Sequence, residues 1–92
     1  MNIGDIVTVV TPVGEVIGKL VAENDVELTL EDPRLFVAQE GSAGLAPGIC
    51  MTGAEDPKEA KFFKGGAVAM TLTANPLVAS WRQQTSGLVV PS

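Results

Sequence analysis

The sequence predicts an all-β protein: a small, strongly bent five-stranded barrel followed by a short C-terminal helix, in one domain spanning residues 1–92. Three observations predict it. Short runs rich in β-branched residues fill most of residues 4–74, Gly18 interrupts one of them, and Asn75-Pro76 introduces a helical pattern. A chain of 92 residues suffices for one modest core and no second domain.

The first two strands are predicted over residues 5–12 and 15–23, with a turn at Gly14. The first is dominated by Val, Ile and Thr and ends at a proline, which is typical of a strand. Gly18 lies in the middle of the second, where a glycine weakens the strand. In a small barrel one strand must turn a corner, and it does so where a side chain is absent. We therefore predict that Gly18 lies at the corner.

The third strand begins at Val26 and alternates apolar with polar residues, which predicts one buried and one solvated face. Asp32-Pro33 interrupts the alternation, and the apolar pattern resumes directly afterwards in RLFVA. A proline inside a strand pattern is typical of a bulge or bend. We expect one at this dipeptide.

The remaining β structure is expected on either side of a long loop. Residues 41–57 contain four Gly and two Pro, which predicts a loop, with room for a short hairpin around residues 49–52. Two further strands follow, AKFFK and AVAMTLT, separated by the permissive turn pair Gly65-Gly66.

A short helix is predicted over about residues 76–86, with Asn75 as N-cap, Pro76 in the first turn and Gly87 closing it. One face carries an apolar stripe at helical spacing: Leu77, Val78, Trp81 and Thr85. We interpret Trp81 as the anchor of the helix against the barrel or a neighbouring subunit; a ligand-stacking role is the alternative. The final LVVPS is either a tail or an added edge strand.

Composition excludes several classes of site. A single cysteine, Cys50, excludes an internal disulfide, and the lack of histidine excludes ordinary zinc and Cys-His sites. With no histidine base, nucleophile elbow or phosphate loop, we expect a non-enzymatic protein without a cofactor. No signal peptide or run of about 20 apolar residues is found, so we expect a soluble protein of a reducing, cytoplasmic compartment.

Charge is unevenly distributed along the chain. The net charge of −5 argues against a broad phosphate-binding surface. Residues 1–57 carry ten acids and two basic residues, whereas residues 58–92 carry four basic residues and one acid. This pattern leaves room for one local anion site.

Two segments resemble the motifs of the Sm-like family, which includes the Sm, LSm and Hfq proteins. GDIVTVVTPVGEVIGKLVAEND is similar to the first motif, with Gly14, Gly18, Leu20 and Asp25 as its elements and the two glycines one residue closer together than in the family. FFKGGAVAMTL resembles the second motif, with Lys64-Gly65 where the family has Arg-Gly. The overall pattern is most similar to the small Sm-like proteins encoded by marine bacteriophages, which would place the protein in the cytoplasm of a bacterial host.

The resemblance implies a ring of Sm-like (SH3-like) barrels that binds single-stranded RNA, with Asp25, Lys64 and Gly65 as the nucleic-acid-binding residues. Lysines interleaved with aromatics in KEAKFFK also fit a single-strand binder. The alternative interpretations are a turn residue for Asp25 and a solvated lysine for Lys64.

A second hypothesis is a structural or adaptor ring that binds other proteins, for example in phage assembly, and no nucleic acid. Val26 and Leu28 stand where the family has a stacking residue and an Asn, and together with the acidic front half they favour this hypothesis. Both hypotheses share the ring, because a partly open barrel leaves strand edges that must be covered. The expected oligomer interface comprises Phe62, Phe63, Val68, Met70 and Leu72.

An acidic cluster in the third-strand region raises the question of a metal ion. It comprises Glu23, Asp25, Glu27, Glu31 and Asp32. The spacing does not match a Mg²⁺- or Ca²⁺-binding loop, so a solvated strand face is the preferred interpretation and no metal site is predicted.

Overall fold

A computed structural model describes residues 1–50 and 52–86. Within these residues six strands, one 3₁₀ turn and one helix follow in chain order: β1 (Ile6–Thr11), β2 (Gly14–Glu23), β3 (Glu27–Gln39), β4 (Ser42–Pro47), β5 (Glu59–Phe63), the 3₁₀ turn (Lys64–Gly66), β6 (Ala69–Leu72) and α1 (Asn75–Thr85). The fold is thus mostly β with one short C-terminal helix, as the sequence predicts.

The six strands form one open antiparallel sheet in the order β4-β3-β2-β1-β6, and β5 also pairs with β3. β3 is long enough to pair with two strands along its outer side: residues 27–31 pair with β5 and residues 34–39 with β4. The five-strand path β5-β3-β2-β1-β6 is therefore continuous, and β4 is an additional strand beside it.

The additional strand is a difference from the predicted five. β4 lies inside the predicted loop 41–57, and the loop itself is shorter, beginning at Gly48. Gln39 pairs with Ser42 across a two-residue turn, in which Gly41 has a φ of 80°. The sequence of β4, SAGLAP, does not predict a strand because it is rich in Ala, Gly and Pro, which are depleted in strands. The short hairpin expected around residues 49–52 is not found among the described residues of that range.

β2 and β3 lose register at Gly18, and a bulge of this kind bends the strand that carries it. Gly18 of β2 faces two residues of β3, Asp32 and Pro33, because Ile17 pairs with Arg34 and Lys19 with Glu31. The prediction of a bulge at Asp32-Pro33 is confirmed, and Asp32 has a φ of 50°. A Cβ atom at Gly18 would lie 2.9 Å from the Cβ of Leu30 and 3.2 Å from the carbonyl oxygen of Glu31. Gly18 therefore lies at a bulge where a side chain would not fit, as a strand corner requires, whereas its place at the corner of a closed barrel stays a prediction.

The main core lies on one face of the sheet. Its buried members alternate along the first three strands: Val7, Val9, Val16, Leu20, Leu28 and Leu30. Partly buried side chains extend it toward the loop and the last strands, among them Leu35, Ile49, Phe62 and Met70. The core is aliphatic because the chain has few aromatic residues.

Helix α1 covers the opposite face of the sheet. Trp81 packs there with Ile6 and Ile17, and Leu77 and Val78 of the predicted stripe join them. The indole Nε1–H of Trp81 donates a hydrogen bond of 2.8 Å to the carbonyl oxygen of Asp32. The interpretation of Trp81 as the helix anchor is confirmed, and its contact is with the bend itself.

The ends of α1 differ from the predicted ones. The N-cap residue is Ala74, without a side-chain cap, and Asn75 and Pro76 already belong to the first turn, so the predicted Asn75 cap is wrong. The predicted stop at Gly87 and the LVVPS segment lie outside the described residues. No helix in the described part of the chain has the length and apolar character that a bilayer crossing requires.

Candidate functional site

The turn between β2 and β3 carries the first predicted site residue, Asp25. Asn24 shapes this turn: its side-chain oxygen accepts hydrogen bonds of 2.9 Å from the backbone N–H groups of Val26 and Glu27. Such an Asx turn fixes the backbone without using the neighbouring carboxylate. The Asp25 side chain is exposed at the tip of the turn.

The other two predicted site residues, Lys64 and Gly65, lie beside this turn. The backbone N–H of Lys64 donates to the carbonyl oxygen of Val26 at 2.9 Å, which extends the β3–β5 pairing by one residue. The structure therefore brings the turn at Asp25 and the 3₁₀ turn at Lys64 to the same end of the sheet. Asp25 and Lys64 are far apart in the sequence, so no local pattern indicates that the two turns are close.

The lysines at this end of the sheet are paired with acids. Lys64 Nζ lies 2.9 Å from a carboxylate oxygen of Glu23, and Lys61 Nζ lies 3.8 Å from one of Glu27. These pairs do not follow from the sequence alone, because they depend on the register of β5 against β3 and, for Glu23, of β2 against β3. Glu27 is opposite Phe63 in that register. The region therefore presents balanced charge rather than a basic patch.

Two adjacent phenylalanines in β5 have opposite surroundings. Phe62 packs against the main core, whereas Phe63 is 66% exposed. This division is the one expected of consecutive residues in a strand, whose side chains point to opposite faces. Val26, also 66% exposed, lies in the neighbouring turn. Phe63 and Val26 therefore form an exposed apolar surface beside the charged pairs.

The residues expected at an oligomer interface divide in the same way. Phe62 and Met70 are partly buried against the core, whereas Phe63, Val68 and Leu72 are exposed. Val68 is 69% exposed and Leu72 is 58% exposed, and both belong to the β6 region. Exposed apolar side chains therefore lie along both β5 and β6.

The backbone of β5 is unpaired along its outer edge. In an antiparallel pair, residues that exchange hydrogen bonds alternate with residues whose N–H and C=O groups point away. Lys64 is hydrogen-bonded to Val26, so the alternate residues Phe63 and Lys61 make no backbone hydrogen bond to β3. Their backbone N–H and C=O groups point away from β3. No strand among the described residues pairs with this edge.

β6 has the complementary free edge on the opposite side of the sheet. The N–H of Thr73 bonds to the carbonyl oxygen of Ile6 at 3.1 Å, which fixes the alternation along β6. Met70 and Leu72 therefore direct their backbone N–H and C=O groups away from β1. By contrast, the β4 edge is partly covered by α1, since the Gln84 side chain donates to the carbonyl oxygen of Leu45 at 3.3 Å.

The turn pair Gly65-Gly66 adopts a 3₁₀ turn rather than the tight hairpin turn that the sequence suggests. β5 and β6 do not pair with each other; they pair with β3 and β1. Neither glycine has a positive φ, and a Cβ atom at either would have no neighbour within 4 Å. The turn itself therefore does not require glycine at either position.

Within the described residues, no group of three or more Cys, Asp or Glu side chains is arranged to hold a metal ion. Two members of the acidic cluster, Glu23 and Glu27, instead face lysines. Cys50 is a free, exposed thiol in the loop after β4.

Comparison of the chain with protein-family models, curated proteins and solved structures finds no match in any of the three.

Proposed function

We propose that this protein is the subunit of a closed homo-oligomeric ring of Sm-like barrels, and that the ring is a structural or adaptor platform that binds other proteins. The observation that carries the proposal is the presence of two open strand edges, on β5 and β6, at opposite ends of the path β5-β3-β2-β1-β6. A soluble protein must cover such edges.

The two edges suit each other in a head-to-tail contact. The outward backbone groups of Lys61 and Phe63 on one copy can pair with those of Met70 and Leu72 on the next. A contact between two different surfaces is heterologous, and it closes into a ring when the rotation per subunit divides a full turn. The exposed side chains of Phe63 and Leu72 would be buried by the same contact.

The charge arrangement supports a protein-binding ring over an RNA-binding one. Phosphate binding depends on cations that are available to replace counterions. Here Lys64 and Lys61 already face Glu23 and Glu27. A phosphate would have to displace a carboxylate from each lysine, in a chain of net charge −5.

The assembly is tested with Leu72→Pro and its control Leu72→Ala. Proline removes the outward N–H of an edge strand while leaving the bonds to β1 in place. We expect multi-angle light scattering of the wild type to give a mass several times the 9.5 kDa of one chain. We expect Leu72→Pro to dissociate the assembly and Leu72→Ala to weaken it less. A wild-type monomer at micromolar concentration would overturn the proposal.

Single-stranded RNA is the second candidate ligand, favoured by one observation. Phe63 is exposed between Lys61 and Lys64, beside the turn that carries Asp25. Exposed aromatics flanked by cations are typical of surfaces on which bases stack.

The RNA candidate is tested by fluorescence anisotropy with uridine- and adenine-rich oligonucleotides over a range of salt concentrations. If RNA binds here, Lys64→Ala should weaken binding several-fold and reduce the salt slope by about one unit. Lys58→Ala is the matched control, since it removes an exposed lysine at the other end of β5. Flat anisotropy at low salt, with the ring intact, would leave the protein-binding platform as the function.

A further inference from the structure

A cleft of about 660 Å³ opens beside the main core, between the β1–β2 turn, the loop after β4 and the end of the 3₁₀ turn at Gly66. Its floor consists of core residues that the sheet leaves partly uncovered, chiefly Leu35, Ile49 and Phe62. The β1–β2 turn forms one wall, where Val13 is 94% exposed, and the loop after β4 forms another.

The described lining of this cleft carries no charge. This is notable in a chain in which 18% of residues are charged. The hydroxyl of Thr11, one of the few polar groups there, already donates to the carbonyl oxygen of Gly14 at 2.9 Å. A charged ligand would lose its hydration without gaining a partner. The lining therefore suits an uncharged, apolar occupant.

The size of the cleft favours a small molecule over a single side chain of a partner protein. A cavity of about 150 Å³ accommodates benzene. The cleft is several times larger, at about 660 Å³, and falls within the range of about 300–1,000 Å³ typical of small-molecule sites. One inserted side chain would leave most of this apolar surface uncovered.

Gly66 supports the same interpretation. It lines the cleft, has no positive φ and has no atom within 4 Å of its potential Cβ position. Gly14, which also lines the cleft, differs because its φ of 151° is a reason for glycine in the backbone itself. Gly66 therefore borders the cleft without a side chain, and neither its φ nor a close neighbour requires glycine at this position.

We propose that this cleft is a binding site for an uncharged apolar small molecule, such as a compound of a few rings or a short acyl chain in neutral form. The main core supplies the apolar contacts, and Val13 and Cys50 lie at the wall. The proposal does not depend on ring assembly or on RNA binding.

The test uses the uncharged dye N-phenyl-1-naphthylamine, whose fluorescence rises in apolar surroundings, with the full-length protein. Gly66→Leu adds a side chain at a residue that lines the cleft, and Gly65→Leu is its matched control, since Gly65 has equally open surroundings but does not line the cleft. We expect saturable binding to the wild type and to Gly65→Leu, and binding at least several-fold weaker to Gly66→Leu. No saturable binding to the wild type, or equal binding to both variants, would overturn the proposal.

Cys50 provides a second readout that needs no substitution. It is the single cysteine of the chain, is exposed and lines the cleft. Saturating dye should slow its alkylation by N-ethylmaleimide several-fold. An unchanged alkylation rate with the dye bound would place the dye elsewhere and overturn the site, even if Gly66→Leu failed to fold.

Discussion

The bend of the sheet and its two free edges differ in how many of their hydrogen-bonding groups and apolar side chains have partners within one chain. At the bend, the absence of a side chain at Gly18 leaves room for Leu30, and Trp81 donates a hydrogen bond to the carbonyl oxygen of Asp32. At the edges, Phe63 and Leu72 expose apolar side chains and direct backbone groups outward. The bend has its partners inside the chain, whereas the edges have none among the described residues.

This difference separates stability from assembly. Every buried side-chain nitrogen or oxygen in the described part of the chain has a hydrogen-bond partner. Changes at the bend should therefore alter the free energy of unfolding of the subunit. Changes at the edges should alter the association of subunits and leave the fold nearly unaffected. Three substitutions test this division, from the largest expected effect on the unfolding free energy to the smallest.

Gly18→Val should have the largest effect. A branched side chain at this position would overlap Leu30 and approach the Glu31 backbone, so the bend must open. We expect the free energy of unfolding to fall by about 2–3 kcal/mol, the upper part of the usual range for point substitutions. Chemical denaturation followed by circular dichroism measures it.

The control for Gly18→Val is Gly44→Val in β4. Gly44 also lies in a strand, but a Cβ atom there would meet nothing within 4 Å. Valine favours strand structure, so stability should stay the same or rise. An unchanged denaturation midpoint for Gly18→Val would show that the bend tolerates a side chain.

Trp81→Phe should have an intermediate effect. Phenylalanine keeps most of the packing on Ile6 and Ile17 but removes the hydrogen bond to Asp32. We expect a loss of about 1 kcal/mol, the usual net value of a hydrogen bond. Circular dichroism must follow unfolding, since Trp81 is the single tryptophan. A variant as stable as the wild type would mean that the bend does not depend on this bond.

Phe63→Ala should have the smallest effect on the subunit. Because Phe63 is 66% exposed, the unfolding free energy of the dissociated subunit should change by less than about 0.5 kcal/mol. The assembly measured by light scattering should nevertheless weaken. Val13→Ala is the control, since Val13 is more exposed still but lies in the β1–β2 turn. Equal assembly of both variants would exclude Phe63 from the interface.

Local patterns in the sequence determined much of the fold. The period of two in β3, the proline of Asp32-Pro33 and the apolar stripe of α1 predict a β protein with a bulge and a packed C-terminal helix. These features can be predicted from the sequence because each depends on residues close together in the chain. The opposite orientations of Phe62 and Phe63 follow from the same alternation, whereas the structure shows that Phe62 is the one in the core.

Only the tertiary structure decided the features that depend on register. β4 is a strand because a two-residue turn returns its Ala- and Gly-rich sequence to β3. Lys64 meets Glu23, and Trp81 meets Asp32, across long sequence separations. A shift of one residue in strand pairing would exchange the faces of every side chain involved. The contacts of the candidate site therefore follow from the pairing of β3 with β2 and with β5, which no local pattern in the chain specifies.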